Sequence, residues 1–180
     1  MIVTDDEDLA AEARIYRDQG KAGFTSNFHT RLGANWRLSE VHAAIGIVQL
    51  KRLDDFIARR REVAVAYQEA VLRTGALSLP KAQLLGESNF YKFIGYLPDG
   101  VDRAALKKAM REQFDVGMSG EVYEFPLHTQ PIFEEFNRGT YPGADLVCSR
   151  QVCPPVSARM TPADATYVVE SLARLVPVGV

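Results

Sequence analysis

The sequence predicts an α/β fold: a short strand and helix, a long connecting helix, and a small α/β layer domain after it. Three observations carry that expectation. Strand-type runs (MIVT, FYKFIGYLP) alternate along the chain with helix-type runs, one helical apolar pattern extends from Ser39 to about Arg73, and Gly and Pro mark the boundaries. The 180 residues suit one domain, or one small domain plus a piece of another. An apolar fraction of 47% with 24% charged residues is ordinary for a globular protein and excludes disordered and fibrous classes.

MIVT is a short β-type run at the start of the chain. TDDEDLAAEARIYRDQG then reads as a helix, with acids in its first turn and Gly20 after its end. The following KAGFTSNFHTRLGAN has no period, and a loop of that length in a compact domain is more often functional than idle. Ser39 is an N-cap candidate; His42 stands three positions on, where a full capping box would have Glu. Residues 39–74 predict one helix, with Val41, Ile45, Val48, Leu53, Phe56, Ile57, Val63, Tyr67 and Val71 approximating one apolar stripe. Its first half, VHAAIGIVQL, is apolar nearly all round and is expected to be buried on several sides; the second half is amphipathic. Arg59, Arg60 and Arg61 spread over different faces among acids, which reads as a solvated surface.

Beyond TGALSLP, FYKFIGYLP predicts a strand, DRAALKKAMREQF a helix capped by Asp102, and DVGMSG a second short strand or turn, in β-α-β order. Pro126 and Pro131 then punctuate VYEFPLHTQPIF, a short helix is expected around residues 144–150, and a closing helix over 161–175.

The net charge of −2 gives no electrostatic footprint for nucleic acid or an anionic membrane, so neither is expected as a partner. No apolar run approaches the roughly 18 residues of a membrane span. Residues 1–15 carry acids where a signal peptide carries bases, which reads as a cytoplasmic chain. Cys148 and Cys153, five apart with no histidine nearby, match neither a zinc knuckle nor a redox pair, so idle buried thiols and no metal site are expected. No Ser-His-Asp set or phosphate-cradling glycine run is present.

Polar groups gather in three loops: Asn35 to Arg37, Tyr123 to His128, and Tyr91 with Lys92. Asn35 lies just ahead of a helix N-terminus, where its amide can join the helix dipole in holding a phosphate; an Asn there equally well just turns the chain. His128 reads as a surface or hydrogen-bonded residue as readily as a site residue, and Tyr123 and Tyr91 as packing residues as readily as recognition ones.

The blocks MIVTDDEDLA, RIYRDQGK, LGANWRLSEVHAAIGIVQLKRLDDFIARRREVAVAYQEAV, SGEVYEFPLHTQP and SARMTPADATYVVESLARL, taken in order, resemble the C-terminal half of the DegT/StrS (DegT/DnrJ/EryC/StrS) sugar aminotransferases. The likeness spans essentially the whole chain; its most specific element is the G-x-N-[YW]-R-[LM]-[ST]-E loop running into the apolar helix. It implies the C-terminal portion of a fold-type I pyridoxal-phosphate transferase. Residues 1–38 would be a remnant of the large cofactor-binding domain with its interface loop, 39–74 a connecting helix, and 75–180 the small C-terminal domain.

The implied activity is amino transfer from glutamate to a nucleotide-linked keto sugar, with pyridoxal phosphate as cofactor and a homodimer as assembly. By the same resemblance Asn35 matches the residue that reaches the cofactor phosphate of the other subunit. Trp36 stands where the family often has Tyr, and Trp36, Arg37, Tyr123 and His128 are carried over as substrate-side residues. The family's Schiff-base lysine lies before the position matching Met1. Lys21, Lys51, Lys81, Lys92, Lys107 and Lys108 match none of it, so no catalytic residue is assigned and the chain alone is expected to be inactive. Relatives with His at the lysine position remove a sugar hydroxyl, leaving a sugar dehydratase relative as one alternative. A stand-alone interaction module, or one half of a split enzyme whose N-terminal half is missing, is another.

Overall fold

The computed structural model describes residues 1–23, 25, 27–81, 83, 88–118 and 120–177. The chain forms two compact units, Met1–Arg52 and Leu53–Val180.

In the first unit, α1 spans Glu7–Arg17. Asp6 caps it by accepting from the Leu9 N–H at 2.9 Å, and acids in its first turn with Arg14 and Arg17 in its last complement the helix dipole. The strand expected for MIVT does not form. A strand is defined by its pairing, residues 1–4 pair with nothing among the described residues, and Ile2 and Val3 are exposed. α2 spans Glu40–Leu50, with Ser39 as its cap. His42 takes the place of the capping-box Glu in its own way: its Nδ1 lies 2.8 Å from the Ser39 hydroxyl, which in turn accepts from the His42 N–H.

The single helix expected over residues 39–74 is interrupted. α3 starts anew at Leu53 and runs over Leu53–Thr74. At the break, the Arg52 N–H bonds to Gln49 O, three residues back, which tightens the ladder into a turn without any Gly or Pro. Asp54 and Asp55 then occupy the first turn of α3. The division between the two compact units falls at 52/53. The burial expectation for α2 is also corrected: it has no buried residue, and Val41, Ile45 and Val48 are all exposed. Its apolar character records a demand for cover that the described residues do not meet.

The second unit is built on α3 packed against α6, Pro162–Ala173. Val63, Ala64, Tyr67, Ala70 and Val71 face the core, meeting Phe93, Leu97, Met110, Val169 and Leu172. Tyr67 stacks on Phe93 at 4.7 Å between ring centroids, and its hydroxyl donates to Pro155 O at 2.7 Å. Burial, helped by the charge of Asp164, pushes the Tyr67 phenol well above its usual value.

The expected strand FYKFIGYLP contracts to β1, Gly95–Tyr96, which pairs antiparallel with β2, Gln151–Val152. Ser78 bridges the other side of Tyr96 through two backbone bonds of 3.0 and 2.8 Å. Between the two strands, Asp102 caps α4, Arg103–Phe114, accepting from the Ala104 and Ala105 N–H groups. Asp115, at φ 53°, ends that helix in the left-handed region, and the strand expected at DVGMSG does not form. The expected β-α-β order is thus replaced by an antiparallel pair whose second strand comes from residues 151–152. Two 3-10 turns, Leu127–Thr129 and Pro131–Phe136, precede α5, Pro142–Arg150. The closing helix α6 opens on a Thr161/Asp164 capping box.

Candidate functional site

In the first unit the site is a loop locked by two glycines. The chain leaves α1 through Gln19 and Gly20, both at positive φ (63° and 79°). A Cβ on Gly20 would fall 1.8 Å from Arg31 O, and one on Gly33 would fall 2.3 Å from Gly20 N, so neither position has room for any side chain. That approach lays residues 33–36 alongside the end of α1. Ala34 N–H donates to Tyr16 O at 2.9 Å, Gln19 N–H to Ala34 O at 3.1 Å, and Trp36 N–H to Arg17 O at 2.9 Å. Asn35 itself forms a backbone bridge with Asp18.

The Asn35 side chain is exposed and its amide makes no hydrogen bond among the described residues, which leaves its donors available at the approach to α2. Trp36 is exposed as well. Arg37, carried over as a substrate-side residue, is ion-paired to Asp18, whose side chain is only 14% exposed. Asp18 sits at the C-terminal end of α1, where the helix dipole disfavours an anion, and Arg37 supplies the compensating charge. A second ion pair, this one bidentate, with Arg31 Nε and Nη2 on Glu12 at 3.1 and 3.0 Å, ties the returning loop to α1.

The second unit holds Tyr123 and His128 on the wall of one cavity of about 470 Å³, with Phe133, Phe136, Asn137 and Tyr141. The His128 Nε2–H faces Asp145 Oδ1 at 3.1 Å, its ring lies 4.9 Å from that of Tyr141, and its carbonyl accepts from Asn137 Nδ2 at 3.2 Å.

The segment leading into this wall is clamped by four side chains. Lys92 Nζ donates to Gly120 O, and Gln151, itself 3% exposed, accepts from Val122 N–H at 3.2 Å while donating to Tyr123 O. Lys107 Nζ holds the Glu121 carboxylate at 3.0 Å, and Arg103 Nε approaches it at 3.8 Å. Arg103 also donates to Cys148 O at 2.7 Å and Gln151 O at 3.1 Å, satisfying carbonyls at the end of α5. The Glu121 side chain is only 5% exposed. Burial pushes its carboxyl up, but the Lys107 hydrogen bond, a backbone hydrogen bond and the Lys107 and Arg103 charges outweigh it, so Glu121 sits below the usual carboxylate value. Cys153 is buried, and burial raises its thiol against the opposing charge of Lys92, which makes it a poor nucleophile.

The structure therefore places Asn35, Trp36 and Arg37 in the first unit and Tyr123 and His128 in the second. Of the remaining polar loop residues, Lys92 is committed to the clamp, and Tyr91 is exposed. Asp18, Glu121, Lys107, Arg103, Gln151 and Asp145 escaped the sequence reading. Only Asp18 left a local signal, an acid at a helix C-terminus. Among the described residues no group of three or more His, Cys, Asp or Glu could hold a metal ion, and no helix is long and apolar enough to cross a membrane.

Residues 1–173 match the model of the DegT/DnrJ/EryC1/StrS aminotransferase family. A GDP-perosamine synthase of Caulobacter vibrioides is 27% identical over 173 residues, a match that covers 96% of this chain and 46% of that protein. A pleiotropic regulatory protein of Geobacillus stearothermophilus is 31% identical over 180 residues, again covering 96% of this chain and 46% of the relative. Among solved structures, a DegT DnrJ EryC1 StrS aminotransferase from Brucella abortus superposes with a TM-score of 0.81 at 24% identity, over 96% of this chain and 44% of that one. The chain spans about half the length of the relatives it matches.

Proposed function

Because the chain belongs to the DegT/DnrJ/EryC1/StrS aminotransferase family, we propose that it supplies the interface loop and small domain of a nucleotide-sugar aminotransferase. The parent enzyme moves an amino group from glutamate to a nucleotide-linked keto sugar and works as a homodimer in the cytoplasm. The family is pyridoxal-phosphate-dependent, and a GDP-perosamine synthase among the relatives supports a nucleotide-linked substrate. The single observation that carries the reading is the unengaged Asn35 amide on a loop whose shape two glycines make obligatory.

The residues present fit one end of the cofactor. Asn35 offers a donor to a phosphate, and the approach to α2 favours an anion. They do not fit its covalent attachment: Lys92 and Lys107 are engaged at residues 120–121, Lys108 lies 3.9 Å from Glu112, and no lysine lines the cavity among the described residues. When bound in the complete enzyme, the cofactor supplies an electron sink for the transfer. This chain's own part is to bind and orient. Asn35 would hold the phosphate of the partner subunit's cofactor, the Asp18–Arg37 pair keeps the Asn35 loop in shape, and Trp36, Arg37, Tyr123 and His128 would be the substrate-side residues. His128 keeps its proton on Nε2 against Asp145.

The chain alone is a fragment in this reading and does not transaminate. Incubation of the purified chain with pyridoxal phosphate, glutamate and a keto sugar nucleotide gives no amino sugar, whereas the chain joined to a complementary N-terminal half does. Product analysis in the same assay separates amino transfer from hydroxyl removal by a dehydratase relative. A second reading, an interaction module or half of a split enzyme, is favoured by the core that the second unit builds from its own residues. Copurification of the chain with a separately encoded N-terminal half supports that version.

A further inference from the structure

We propose that the cavity in the second unit binds a neutral heteroaromatic ring, the base of the nucleotide carried by the substrate, and not the sugar itself. The inference rests on the nucleotide-sugar reading above and gives that site a chemical class. Half of its lining residues are aromatic: Tyr123, Phe133, Phe136 and Tyr141, with the His128 ring among them. A sugar presents hydroxyls on every side and needs a polar partner for most of them. Here the polar lining is limited to the two phenols, Asn137 and His128, and no Lys, Arg, Asp or Glu lines the cavity among the described residues, so a diphosphate has no counter-charge inside it. A flat ring needs the opposite balance, two faces of π surface and one polar edge. The volume of about 470 Å³ lies within the range of small-molecule sites.

The wall is also fixed before any ligand arrives. His128 and Tyr141 already stand 4.9 Å apart with their planes tilted by 43°, a geometry that aromatic pairs favour. Asp145 and Asn137 hold His128 at Nε2 and at its carbonyl, and Gln151 holds Tyr123 by its carbonyl. These bonds fix the backbone at residues 123 and 128 and the His128 ring ahead of binding. Asn137 spends one amide proton on His128 O, and its oxygen accepts from the Gly139 N–H at 3.4 Å, which leaves its second amide proton and the oxygen's other lone pair for the edge of a base.

Saturation-transfer NMR on the 180-residue chain tests this with guanosine and thymidine as probes and glucose and ribose 5-phosphate as controls. The expected result is transfer strongest at the base protons, none to the controls, at least about tenfold weaker nucleoside binding in Tyr141→Leu, and binding retained in Tyr141→Phe. Absence of nucleoside saturation in the unmodified chain, or equal transfer to the sugar controls, overturns the inference whatever the variants do. The two readings fail separately. Base binding without any amino transfer by the completed enzyme sinks the functional reading alone. Amino transfer with the KM for the nucleotide sugar unchanged by Tyr141→Leu sinks this inference alone.

Discussion

Asn35 owes its position to the residues that shape its loop. Gly20 and Gly33 permit the close approach, Arg37 neutralises Asp18, and the amide is left free. Replacing Asn35 by Ala in the completed enzyme removes a hydrogen bond to a charged group, about 1.5–3 kcal/mol, so pyridoxal-phosphate affinity is expected to fall about 10- to 100-fold. Titration of the cofactor reads this directly, and an unchanged dissociation constant removes Asn35 from the phosphate. Gly33→Ala forces a Cβ into Gly20 N and Tyr16 O and is expected to open the loop, seen as faster hydrogen exchange at the Ala34 and Trp36 amides while the second unit keeps its protection. The polar loop around Asn35 was legible in the sequence because it is contiguous. Glu121, Lys107 and Gln151 were not, because the clamp joins residues 14 to 29 positions apart, and no periodic pattern encodes such pairs.

At the scale of elements, the helices were legible where a cap announces them. Ser39 and Asp102 cap as their positions suggested, and Thr161 caps the closing helix at the start expected for it. Thr161→Ala removes the hydroxyl half of a capping box and is expected to cost about 1 kcal/mol, measured as a lower urea midpoint at unchanged slope. The strands were misread because a strand of two residues is defined by a distant partner, Gly95 pairing with Val152 and Tyr96 with Gln151, and no local pattern announces such a pairing. The break at Lys51–Arg52 was hidden for the opposite reason: a switch from four-back to three-back bonding leaves no Gly or Pro in the sequence.

Over the whole molecule, two groups set opposite pH limits. The Glu121 carboxyl is depressed in the folded state, so its contribution is complete above the ordinary value of 4.5 and is lost as pH falls through the lower folded value. Urea midpoints measured from pH 7 downwards are expected to fall more steeply for the unmodified chain than for Glu121→Gln. Tyr67 is shifted the other way: its stabilisation is complete below the usual phenol value of 10.0 and declines as pH rises beyond it. The uncovered apolar face of α2 predicts self-association of the isolated chain. Sedimentation velocity is expected to show concentration-dependent species that Ile45→Glu with Val48→Glu suppresses; a monomer at all concentrations contradicts this. What the sequence carried best was the family; what it lacked was the cover for α2, which its apolar residues call for without naming.

The most direct measurement is amino transfer from glutamate to a keto sugar nucleotide, followed with pyridoxal phosphate present for the chain alone and for the chain joined to a complementary N-terminal half. The account predicts amino sugar only from the joined protein, with loss of cofactor affinity in its Asn35→Ala variant. Amino transfer by the chain alone, or none from the joined and folded protein, would contradict it.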